Sequence, residues 1–170
     1  MKRGEKSIAF KKILVPIDFS SYSDQALNYA ATISKKFNAQ VILMHVIESL
    51  PYSVTDSLVL IDHKRALETT ARSLLDNWSK KLREKKVAVT TFLVSGVAYH
   101  EIIKKARQEK VDLIVMGTHG RTGLEHLLLG SVAEKVLRLC ACPVLTVRLP
   151  AAESKSKLSR RPSTRGTTLY

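Results

Sequence analysis

The chain has 170 residues, 45% of them hydrophobic and 25% charged, with a net charge of +13. That suffices for one domain with its own core, and the balance is that of a soluble globular protein. No apolar run approaches the ~20 residues that span a bilayer. The opening MKRGEKSIAFKK is basic without the apolar stretch of a signal peptide. The expectation is therefore a cytoplasmic protein with no membrane span. The charge is concentrated at the ends: residues 1–12 carry +4 and residues 151–170 another +4, leaving +5 for the 138 between. Solvated tails account for most of the excess. Nucleic acid is not the expected partner, although the basic tails leave it open.

In chain order, Lys12–Ile17 reads as a strand, and DFSSYSD after it is rich in helix-starting residues. Ala26, Ala30, Ile33 and Phe37 recur at spacings of 4, 3 and 4, the period of an amphipathic helix. Asn38-Ala39 closes it, and Val41–Ile47 is a second buried strand. Ser49–Ser57, with Pro51, is a loop. A long helix follows to about Lys86, its apolar face formed by Leu67, Ala71, Leu74, Leu75, Trp78 and Leu82. Val87–Val94 is a third strand, and Ala98, Ile102, Ile103 and Ala106 mark a third helix. Leu113–Met116, Ser131–Leu139 and Pro143–Val147 complete the pattern as strand, helix and strand. Strands alternating with helices predict a parallel sheet covered on both faces. Cys140 and Cys142, one residue apart, are read as small apolar residues on alternate faces, poorly placed to bond with each other.

The chemistry points to the segment after the fourth strand. Gly117, Gly120, Gly123 and Gly130 lie between a buried strand and the start of a helix. Glycines let backbone approach a phosphate closely, and the first-turn amides of a helix point at negative charge. Each of these glycines alone would be an ordinary turn residue; together they predict an anion pocket. Ser131-Val132-Ala133-Glu134 also fits a capping box, so Ser131 is expected at least to cap its helix. In an open parallel sheet ligands sit beyond the carboxyl ends of the strands, where the winding reverses. Pro16-Ile17-Asp18 and Val46-Ile47 would line the same crevice. Asp18 is either a helix-entry residue or a carboxylate that takes ribose hydroxyls or a base. Arg121 can pair with phosphate or stay solvated, and His119 can donate to phosphate or be an exposed imidazole. His45, in an apolar strand, is structural, and His63, His100 and His126 have no metal-ligand spacing. G-x-x-x-x-G-K-[ST], G-x-G-x-x-G after the first strand and G-x-S-x-G are all absent.

KKILVPIDFSSYSDQAL, QVILMHVIES and VDLIVMGTHGRTGLEHLLLGSVAEKVLRLCACPVLTVR together resemble the universal stress protein family over about Lys11–Leu149. The family's G-x2-G-x9-G-[ST] pattern stands here as Gly117-x2-Gly120-x9-Gly130-Ser131. The resemblance implies an α/β three-layer sandwich, a five-stranded parallel sheet in the order 3-2-1-4-5, of the adenine nucleotide alpha hydrolase-like kind. It divides the chain into a basic N-terminal extension (1–10), the universal stress protein domain (11–149) and a basic, disordered tail (150–170). Members with the full glycine pattern resemble ATP binders. By that likeness Asp18 contacts the ribose, and Pro16, Ile17 and Val46 border the adenine. Gly117, Gly120, Gly130, Ser131 and Val132 wrap the phosphates, flanked by Met116, Thr118, His119 and Arg121. The implied ligand is ATP, or ADP or AMP, with Mg²⁺ or Mn²⁺ held through its phosphates. The implied partner is a second copy, joined along Pro143–Arg148. The function expected is a nucleotide-dependent stress-response switch. The alternative is a slow ATPase or nucleotidyl-transfer enzyme, for which only Arg121, His119 and Asp18 are catalytic candidates and none has a clear base role.

Overall fold

The computed structural model describes residues 9–48, 57–120 and 129–149. Its elements run β1 (Lys12–Ile17), α1 (Ser21–Phe37), β2 (Gln40–Ile47), α2 (Ser57–Glu84), β3 (Val89–Ser95), α3 (Ala98–Gln108), β4 (Leu113–Gly117), α4 (Ser131–Leu139) and β5 (Val144–Val147). The five strands form one parallel sheet in the order β3-β2-β1-β4-β5. This is the α/β architecture and strand order expected above.

The three layers follow from the two-residue period of a strand. Ile13, Val15 and Ile17 of β1, with Val41 and Leu43 of β2 and Leu113 and Val115 of β4, face α1 and α2. There they meet Ala26, Leu27, Ala30, Ala31, Leu75, Trp78 and Leu82. Leu14, Ile42, Met44, Ile114 and Met116 point the other way, against Ile102, Ala106, Ala133 and Val136 of α3 and α4. Burial on both faces explains why these strands read as continuous apolar runs rather than alternating ones.

Helix α2 meets the core through a narrower stripe than its sequence suggests. Ala71, Leu75, Trp78 and Leu82 are buried, at spacings of 4, 3 and 4, but Leu67 and Leu74 are exposed. An outer helix has only one stripe facing the sheet, and these two leucines lie beside it. The third strand also starts later than Val87. Lys86 takes a left-handed conformation (φ 59°) and the Val87 amide donates to the Leu82 carbonyl. Val87 thus belongs to the helix's closing turn, although its side chain is buried.

The sheet is tightly closed at one end of β1 and open at the other. At the amino end Asp112 Oδ2 accepts the amides of Lys11 (2.8 Å) and Lys12 (2.9 Å), and the Asp112 amide donates to the Lys12 carbonyl. Pairing of β1 with β4 covers only Ile13 and Leu14, whereas pairing with β2 runs the full length of β1. Beyond Leu14 comes Pro16, which has no amide to donate to a ladder. The two strands where the order reverses are therefore joined to each other at their amino ends and not at their carboxyl ends.

Candidate functional site

The gap beyond β1 and β4 is bordered by three segments: the turn from β1 into α1, the loop that leaves β4, and the start of α4. The first is built around Asp18. Its Oδ1 accepts from the Ser20 amide (3.1 Å), the Ser20 hydroxyl (2.6 Å) and the Ser23 hydroxyl. The Asp18 amide in turn donates to Ser23 Oγ at 3.1 Å. Ser20 is the N-cap of α1, its side chain accepting from the Ser23 amide. The helix-entry reading of Asp18 therefore holds for one carboxylate oxygen. The other, Oδ2, faces the glycine loop, lying 2.9 Å from where a β-carbon on Gly120 would stand.

The loop after β4 is held shut at its base by Thr118. Its amide donates to the Val147 carbonyl of β5 (2.9 Å), and its own carbonyl accepts the Gly130 amide (2.7 Å). The Thr118 side chain is buried, its Oγ1 3.0 Å from His119 Nδ1. Thr118 thus braces the loop's two ends rather than presenting a hydroxyl to the crevice. His119 lies against Tyr22 of α1, ring centroids 5.2 Å apart. Gly117 has a packing reason to be glycine: a β-carbon there would come within 2.7 Å of Tyr22 Cβ and 3.0 Å of the Tyr22 carbonyl carbon. Gly120 is close to the Asp18 carboxylate instead, so the two glycines serve different neighbours.

At α4 the capping-box expectation is corrected. The N-cap is Gly130, in extended conformation (φ −70°, ψ 150°), and it makes no side-chain cap hydrogen bond. Ser131 is the first helical residue and is exposed, and Glu134 donates its amide to the Gly130 carbonyl. A glycine at that position offers no side-chain oxygen of its own to the first-turn amides. A β-carbon on Gly130 would stand 3.1 Å from the Thr118 carbonyl, which ties the helix start to the loop.

The remaining candidates are placed as follows. Pro16, Ile17 and Met116 are buried at the strand ends, Ile17 on the α1–α2 face and Met116 on the α3–α4 face. Val46 and Val132, the latter at the head of α4, are half-buried and both pack against the core of that face. The Ile17 carbonyl accepts from His45 Nδ1 at 2.7 Å, which makes His45 structural and puts a proton on that nitrogen. Arg121 lies outside the described residues, as do Gly123 and His126. Among the described residues no group of three or more His, Cys, Asp or Glu is placed to hold a metal, and no helix is long and apolar enough to cross a membrane.

Residues that pattern reading passed over prove central. Ser20 and Ser23 fix the Asp18 carboxylate, and Tyr22 sets the approach of α1 to Gly117 and His119. Their signal was the short polar run SSYS, since such side chains fold back onto nearby backbone. Phe19 is less legible. It holds a left-handed φ of 64° and packs on His45 and Trp78, with centroids 4.5 and 5.7 Å away. Cys140 and Cys142 are free and pack against the core as small apolar residues, but the expectation of alternate faces is corrected: their Sγ atoms lie 3.3 Å apart. The chain between them is a bend beyond the helix, not a continuous strand, so strict alternation does not apply.

Against known proteins, the profile of the universal stress protein family matches residues 9–148. Universal stress protein MJ0531 of Methanocaldococcus jannaschii is 40% identical over 156 residues, covering 90% of this chain and 89% of that protein. The solved structure of MJ0577 from the same organism is 34% identical, covers 85% of this chain and 99% of its own, and superposes with a TM-score of 0.74. An Arabidopsis thaliana universal stress protein solved with AMP bound shares the fold at 19% identity, with a TM-score of 0.62 over 84% of this chain and 94% of that one. Strand order, glycine spacing and similarity over almost the whole described length agree: this chain belongs to the universal stress protein family.

Proposed function

We propose that this protein binds an adenine nucleotide, ATP in the first instance, and works as a nucleotide-dependent stress-response switch. One observation carries the reading. Past the point where β1 and β4 stop pairing with each other, where the strand order reverses, Asp18 stands against Gly120, and Gly130 at the head of α4 stands against Thr118 and His119. Asp18 takes the ribose, with Pro16, Ile17 and Val46 beside the base. Gly117, Gly120, Gly130, Ser131 and Val132 surround the phosphates, their backbone amides as donors. Met116 and Thr118 support that shell from beneath, and His119 and Arg121 flank it. The AMP-bound relative of the same fold is in keeping with this class of ligand.

A divalent cation, Mg²⁺ or Mn²⁺, fits the donor set as a guest of the phosphates. Magnesium needs few protein carboxylates when phosphate oxygens and waters complete its shell. The chain's own contribution is to orient the nucleotide and to offset phosphate charge with amides. The dimer is part of the proposal. β5 is the terminal strand of the sheet, and Pro143–Arg148 offers an edge on which a second copy can add its own strand.

The test is the mass of small molecules released on denaturing the purified protein, followed by titration with Mg-ATP. Affinity tighter than millimolar is expected. Gly130→Lys should abolish it by filling the loop, and Ser131→Glu should weaken it by placing a carboxylate at an exposed position beside the phosphates. A folded wild type with no affinity for ATP, ADP or AMP overturns the reading.

A further inference from the structure

A second chemically competent feature lies away from the crevice, between the end of α4 and the start of β5. We infer that Cys140 and Cys142 form a redox-responsive dithiol, which a peroxide closes to an intramolecular disulfide. Their sulfurs stand 3.3 Å apart. A disulfide bond is about 2.05 Å long, so closure asks for an approach of roughly 1.2 Å, within reach of side-chain rotation. Two residues of chain extend to at most about 7 Å, which brackets the roughly 4.4–6.8 Å between α-carbons that a disulfide requires.

The local backbone allows that movement. α4 ends at Leu139, Cys140 is its C-cap in extended conformation (φ −81°, ψ 141°), and the segment through Pro143 belongs to no helix or strand. Both cysteines are partly exposed, with exposed Ala141 between them, so a small oxidant reaches them. They are also the only two cysteines in the chain.

The steps balance as follows. The Cys140 sulfur attacks a peroxide oxygen and the O–O bond breaks, giving a sulfenic acid and water. The Cys142 sulfur then attacks Cys140 Sγ. The S–O bond breaks, and the hydroxide leaves as water with the Cys142 proton. Two thiols lose two electrons, and one peroxide is reduced to two waters. Burial first, then the neighbouring Cys140 sulfur, push the Cys142 thiol up to about 12. The 3.3 Å contact is symmetric, so attack in the opposite order, Cys142 first, closes the same disulfide.

The experiment uses the full chain, reduced and then exposed to hydrogen peroxide, denatured without reductant and treated with N-ethylmaleimide. Intact mass is the readout. The expected product is a monomer lighter by two hydrogens with no maleimide added, and dithiothreitol should restore two maleimide sites. Cys142→Ala and Cys140→Ala should each form no intramolecular disulfide, the remaining thiol stopping at a sulfenic acid that dimedone traps. Two maleimide adducts, at a peroxide dose that fully oxidises N-acetylcysteine, overturn the inference. So does a disulfide between two chains, or sulfinic acid at one cysteine beside an alkylated other. No nucleotide enters the readout, so the outcome is independent of the ATP reading.

Discussion

Replacing Gly117 by alanine separates a packing glycine from a ligand-facing one. The added methyl would stand 2.7 Å from Tyr22 Cβ, 3.0 Å from the Tyr22 carbonyl carbon and 3.2 Å from the His119 carbonyl oxygen. Carbon atoms rest at roughly 3.5–4.0 Å, so the first turn of α1 must retreat by about 1 Å. It cannot do so by a side-chain rotation, because two of the three contacts are backbone atoms. Nor is the turn loose, since Ser20 and Ser23 anchor it to Asp18. Overpacking of this kind costs about 1–3 kcal/mol. At about 2–4 °C per kcal/mol for a chain of this size, the melting temperature should fall by about 2–12 °C. The comparison is Gly120→Ala, where the methyl meets only the end of the Asp18 side chain, at 2.9 Å. That variant should melt closer to wild type while losing more nucleotide affinity per degree of melting lost. Calorimetry and urea titration of the two variants decide the matter. A Gly117→Ala protein that melts with the wild type, or a Gly120→Ala protein that loses more stability than it, would refute the reasoning.

Ser23→Ala should cost about 1–3 kcal/mol in urea unfolding, because it leaves the Asp18 amide without the hydroxyl that accepts from it. The same variant should weaken nucleotide binding by removing one of the three hydrogen bonds that hold Asp18 Oδ1. Asp112→Ala removes the acceptor for the Lys11 and Lys12 amides and should cost about 1–3 kcal/mol, with faster hydrogen exchange at the amino end of β1. A protein with unchanged exchange there would contradict the role given to Asp112. The Cys142 thiol is raised from its ordinary 9.0 to about 12, so between those values the unfolded chain releases a proton that the folded chain keeps. Stability is then fully present below pH 9 and falls as pH rises toward 12. Cys142→Ala should flatten that alkaline limb in pH-dependent urea melts.

Much of this architecture is legible in the amino-acid order because burial and period are local properties. The apolar runs of β1, β2 and β4 mark strands covered on both faces, and the 4-3-4 spacing of Ala26, Ala30, Ile33 and Phe37 marks α1. The glycine spacing locates the loop after β4, and His45 in its apolar setting reads correctly as structural. What these patterns cannot specify is which groups meet across the chain. The sequence predicts a cap at Ser131, but the Gly130 amide bonds to the Thr118 carbonyl and the glycine is the cap. Alternation predicts diverging cysteines, but the bend after α4 turns both sulfurs toward each other. Leu67 and Leu74 sit at helical spacing yet lie beside the buried stripe, because its width depends on how α2 lies on the sheet.

The amino-acid sequence by itself determined the alternation of strands and helices, the buried faces and the glycine-bearing loop, since each depends on residues near one another in the chain. Only the tertiary structure decided that β1 and β4 are tied at Asp112 and not paired with each other past Leu14, and that Asp18 stands beside Gly120. Those contacts join residues about a hundred positions apart, and such contacts are set by the packing of the whole sheet rather than by any local preference.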